Sequence, residues 1–150
     1  DDTITWDTIT IRRTDGHHGL GAVERLMGTV SGFILSAVGE PTVYIAGDTV
    51  LCDEVSTAIA TYSPDVIVLN CGGATWDDPD TGKRVFILMD AAEAIKTASL
   101  EPDADLVAVH LEALDHCTVT RDALRAAADA AGVDAARLHI PADGEQITLL

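Results

Sequence analysis

Lysine is almost missing from this chain of 150 residues, with Lys83 and Lys96 as its two examples. Nine basic residues stand against 25 acidic ones, with aspartate well ahead of glutamate, and the formal net charge is −16. Such a surface repels nucleic acid and anionic lipid at ordinary ionic strength, so neither is expected as a partner. An acidic, lysine-poor surface over an Ala/Val/Thr-rich interior suits a halophilic protein, where counter-ions screen self-repulsion. An acidic protein of an ordinary cell is the plainer reading. Long apolar runs are missing too. The apolar stretches at residues 65–69 and 106–109 are strand-length, far below the roughly 18–20 residues of a membrane span. Asp1 and Asp2 open the chain without a basic region leading into an apolar one, so no secretion signal is read and a cytoplasmic location is expected. The three cysteines, Cys52, Cys71 and Cys117, are odd in number and lack short paired spacing. That excludes a disulfide framework or zinc knuckle and leaves small buried hydrophobes in a reducing compartment.

What is present is enough apolar material, 47% of residues, for one domain over residues 1–150 with its own core. Residues 3–12 alternate and are rich in β-branched side chains, as a strand requires. A glycine-flanked turn at 15–21 holds His17 and His18, and strands at 30–38 and 42–46 are joined by Gly39-Glu40-Pro41 as a hairpin. Helical spacing covers 52–62 and is stopped by Ser63-Pro64. The continuous apolar run at 65–69 predicts a strand buried on both faces, followed by a long loop at 70–84. Asp90 caps a helix to about residue 99, and Thr120 caps another to about residue 131, closed by Gly132. Strands are expected at 106–109, 137–140 and 145–150. The order indicates an α/β layer with a mixed sheet and about three helices.

Chemistry-bearing groups stand where apolar strands end: His17 and His18, then Asp48, then His110. A rigid sheet presents such groups while the loops beyond stay free to vary. Each has a bland alternative. Asp48 could cap the helix that follows, the histidine pair could occupy a surface turn, and His110 could be a hydrogen-bonded interior residue. Jointly, two imidazoles and a carboxylate form a donor set for a divalent metal.

Met27-Gly28-x-Val30-Ser31-Gly32-Phe33, Tyr44-Ile45-Ala46-Gly47-Asp48-Thr49, Asp65-Val66-Ile67-Val68-Leu69-Asn70 and Ala108-Val109-His110-Leu111-Glu112-Ala113 follow the histidine turn in order. This series resembles the second half of metallo-β-lactamase superfamily hydrolases, nearest the branch of ascorbate-6-phosphate lactonase-like proteins. The resemblance implies an α/β fold that is half of a four-layer αββα sandwich. It implies a metal site in which His18, rather than His17, completes one ion's shell, Asp48 bridges two ions, and His110 completes the second. The ion would be zinc, with manganese and iron as alternatives. Asp48 and His116 are the candidate catalytic residues, His116 as a proton donor or supporting group, with a plain helix-start histidine as its alternative. The loop at 70–84, with Trp76, Lys83 and Arg84, is a candidate substrate wall, with a plain solvated loop as its alternative.

The family's His-x-His-x-Asp-His motif is absent, and the five histidines are His17, His18, His110, His116 and His139. The expected function is therefore metal-dependent hydrolysis of a small-molecule lactone, ester or phosphoester by a longer or assembled protein. This chain would be an inactive fragment that meets its N-terminal half or self-associates. A non-catalytic α/β binding or assembly module is the alternative. No phosphate-binding glycine loop is present, because the segment 16–21 lacks the lysine and the following helix that such a loop needs.

Overall fold

The computed structural model describes residues 2–149. Strands β1 (Thr3–Trp6) and β2 (Ile9–Thr14) form a hairpin around Asp7, which takes positive φ. The single strand expected at 3–12 is thus two. A four-residue helix, α1 (Glu24–Met27), follows, and then come β3 (Gly32–Ser36) and β4 (Val43–Ile45), antiparallel as expected. From β4 onward the chain alternates α2 (Asp53–Tyr62), β5 (Val66–Asn70), a small hairpin of β6 (Thr75–Asp77) and β7 (Arg84–Phe86), α3 (Ala91–Leu100), β8 (Asp105–Val109), α4 (Arg121–Ala130) and β9 (Leu138–His139).

The seven-stranded sheet runs β1-β2-β3-β4-β5-β8-β9, antiparallel to β4 and parallel after it. Parallel neighbours joined in sequence require right-handed crossovers, which put α2, α3 and α4 on one face. α3 packs against both α2 and α4 there. A cross-strand row of Ile34, Tyr44, Ile67, Leu106 and Leu138 meets those helices and forms the core. The opposite parity carries Ile4, Trp6, Phe33 and Ile45, which are 63%, 70%, 40% and 36% exposed.

Helix starts follow local chemistry. The Asp90 carboxylate accepts from the Glu93 amide and the Thr120 hydroxyl from the Ala123 amide, each satisfying a first-turn N–H without a helical partner. Other sequence expectations are corrected as well. Residues 70–84 contain β6 and the first residue of β7, organised by Asp78, whose carboxylate accepts from the amides of Asp80 and Thr81 and from the Thr81 hydroxyl. Four helices form where about three were expected, because the polar stretch at Glu24 makes one turn. Residues 145–149 form no strand, and Leu150 lies outside the described residues. Val68, half-buried in β5, also departs from burial on both faces.

Candidate metal centre

Strand directions put the C-terminal ends of β2, β4, β5 and β8 at one rim of the sheet, since β2 is two antiparallel steps from β4. His18 follows β2, Asp48 follows β4, Asn70 ends β5 and His110 follows β8, and all four are half-buried. The histidine turn is stitched to the loop bearing Asp48. The His17 amide donates to the Thr49 hydroxyl at 2.9 Å, and the Val50 amide donates to the His17 carbonyl at 2.9 Å. Gly16 permits this approach, since a Cβ there would lie 2.9 Å from Thr49 Oγ1, and Gly47, at φ +73°, lets the Asp48 loop pass the start of β3, where a Cβ would lie 2.6 Å from the Ser31 carbonyl.

Asp48 is oriented by Asn70, whose Nδ2 donates to Oδ1 at 2.6 Å. Asn70 was overlooked in the sequence, although it ends an apolar strand just as His110 follows one. Both expected histidine ligands are held through Nδ1. His18 Nδ1 lies 2.8 Å from the Ile87 carbonyl, which can only accept, so Nδ1 is the donor of that bond. His110 Nδ1 lies 3.7 Å from Cys117 Sγ. An imidazole ligand commonly has one ring nitrogen fixed by a partner while the other binds the ion, and two imidazoles with a carboxylate are a donor set of the chemistry that a divalent metal takes. His110 has φ +61°, an uncommon conformation for a residue with a side chain and one that concentrates at functional sites. It is locked in place by Gly72, where a Cβ would meet the His110 carbonyl at 2.0 Å.

Cys117 Sγ also lies 3.8 Å from the His110 carbonyl. Burial first, and then the charge of Asp48, push its thiol pKa up. The buried Cys71 thiol is pushed up to about 12, in keeping with an inert core residue. The donor atoms of His18, Asp48 and His110 do not form a trio all within 4.8 Å of one another. His116 lies on the same loop as Cys117, and its ring meets Trp76 edge to face at 6.1 Å. Its carbonyl accepts from the Thr75 amide, which binds the β6–β7 hairpin to this side of the rim. Lys83 and Arg84 lie at the far end of that hairpin, where Arg84 pairs with Asp77 at 3.1 Å.

No family model matches the chain. It is 34% identical over 148 residues to the UPF0173 protein YddR of Bacillus subtilis (strain 168), covering 98% of this chain and 56% of that protein. Among solved structures, a possible metal-dependent hydrolase from Veillonella parvula superposes with a TM-score of 0.90 at 31% identity, over 99% of this chain and 57% of that one. An isothiocyanate hydrolase from Delia radicum gut bacteria gives a TM-score of 0.87 at 33% identity, over 99% and 58%. The metallo-β-lactamase fold protein YhfI from Bacillus subtilis, at 19% identity and a TM-score of 0.63 over 93% and 49%, shares the fold. The chain thus has metallo-hydrolases among its structural neighbours and spans little more than half the length of the relatives it matches. Among its described residues, no helix is long and apolar enough to cross a membrane.

Proposed function

We propose that this chain is the C-terminal portion of a single-domain metal-dependent hydrolase, with His18, Asp48 and His110 as metal ligands. The observation that carries the reading is the delivery of these residues to one sheet rim, with each histidine fixed through Nδ1. Asp48 stands between the two histidines in strand order, a position suited to a bridging carboxylate. When bound, the metal lowers the pKa of water toward neutrality and polarises the scissile bond. Asn70 fixes the Asp48 carboxylate, Ile87 and Cys117 fix the two imidazoles, and His116, on the loop that follows His110, is the proposed proton donor to a leaving group. Trp76 forms a substrate wall.

The substrate is a small molecule with an electrophilic centre: a lactone, ester or phosphoester, or an isothiocyanate as for the neighbour of that name. The remaining ligands come from an N-terminal half carrying His-x-His-x-Asp-His. That half also covers the sheet face bearing Trp6 and Phe33, an apolar patch of the kind that marks an interface. Zinc is the proposed ion, and the protein works in the cytoplasm.

Assaying these four substrate classes with the longer, metal-loaded protein tests the proposal. Turnover lost by at least about 100-fold in Asp48→Ala is expected, given what such ligands and their supports contribute. Turnover unchanged in that variant, or none in any class at full metal loading, would refute it.

A further inference from the structure

Beside the rim, but through different side chains, His17, Cys52 and Glu54 bring together an imidazole nitrogen, a thiol sulfur and a carboxylate oxygen, all within 4.8 Å of one another. His17 lies between two carboxylates: Nδ1 meets Glu24 from α1, and Nε2 lies 3.3 Å from Glu54 Oε2 in the first turn of α2. Cys52 is the N-cap residue of α2, and burial first, with Glu54 adding to it, raises its thiol pKa, so binding an ion here displaces the thiol proton. Its sulfur lies 3.8 Å from the Thr49 hydroxyl, the group that also receives the His17 amide.

Two carboxylates face one imidazole here, so the surroundings stay negative whichever form the ring takes. Glu24 on the outer nitrogen, with the inner nitrogen turned toward an acid and a thiol, reproduces the carboxylate–histidine–metal arrangement of known sites. An S, N, O donor set suits zinc and its neighbours among the transition metals, for which donors about 3.5 Å apart need small side-chain rotations from the separations seen. The side chains of His17 and Glu54 are 31% and 42% exposed, and a cavity of about 460 Å³ adjoins them, leaving a route for the ion and a place for a fourth, solvent ligand.

We propose that His17, Cys52 and Glu54 bind a divalent transition-metal ion of the zinc class, with Glu24 holding the imidazole. The ion fastens the histidine turn to the start of α2 and thereby fixes the backbone beside His18. The proposal uses none of the side chains assigned to hydrolysis and stands apart from that assignment.

Cobalt(II) titration of the purified 150-residue chain tests it, because thiolate ligation gives a near-ultraviolet sulfur-to-cobalt charge-transfer band. The band is expected in the unaltered chain, in Asp48→Ala and in Cys117→Ser, and is expected to vanish in Cys52→Ser. Glu24→Gln should keep the band but weaken binding by about 10- to 100-fold, and a loss of affinity in Glu54→Gln supplies a second check should Cys52→Ser misfold. No band in the unaltered chain, or one that survives Cys52→Ser or disappears with Asp48→Ala, would overturn the proposal. The cluster would then be an ion pair of His17 with its two glutamates.

Discussion

Asn70 is the least obvious residue of the rim, and its short hydrogen bond to Asp48 makes it a positioning group. Asn70→Ala is expected to lower metal affinity of the longer protein by about 10- to 100-fold while leaving the fold intact, as measured by calorimetric titration and circular dichroism. Glu93 behaves differently. Burial raises its carboxyl pKa above the usual value, only partly offset by hydrogen bonding from the Leu51 amide. A raised folded pKa means that the proton is held more tightly in the folded state. The associated stability is present below the ordinary glutamate range and is lost as pH rises through the raised value. Glu93→Gln keeps the acceptor and removes the charge. Thermal melts are expected to show the variant more stable than the parent at neutral pH and equal to it well below the glutamate range.

Elements with strong local signals were legible in the sequence: α3 and α4 begin one residue after the expected caps, and β5 and β8 coincide with the apolar runs. The β6–β7 hairpin was not, because three-residue strands are too short to show a period and the Asp78 turn reads as loop composition. The histidines and Asp48 were legible as strand-end residues. Asn70, Cys117 and the carboxylate partners of His17 were not, because their roles arise from contacts between separate elements. Gly72 is of the same kind, since its need for a missing Cβ comes from the His110 carbonyl across the rim. Gly72→Ala is expected to destabilise the chain by about 2 kcal/mol or more, in the upper part of the range for single substitutions, as measured by denaturant titration. Leu124, wholly buried where α4 meets the sheet, should cost about 2–5 kcal/mol as Leu124→Ala and report on the core without touching the rim.

At the scale of the molecule, one sheet face is closed by three helices and the other presents Ile4, Trp6, Phe33 and Ile45. An open face of this kind, together with a length of 56–58% of its relatives, belongs with the proposal that further chain completes both the sandwich and the metal shells. The 150-residue chain alone is therefore expected to bind a hydrophobic dye, and Trp6→Ser with Phe33→Ser should reduce that binding without lowering the melting temperature by more than a few degrees. Metal binding at the rim is tested by anomalous diffraction at the zinc edge from zinc-soaked crystals of the longer protein. Density is expected within about 2.0–2.2 Å of His18 Nε2, of an Asp48 oxygen and of His110 Nε2, shared between two ions. Fully loaded crystals with zinc elsewhere and none at Asp48 would contradict it.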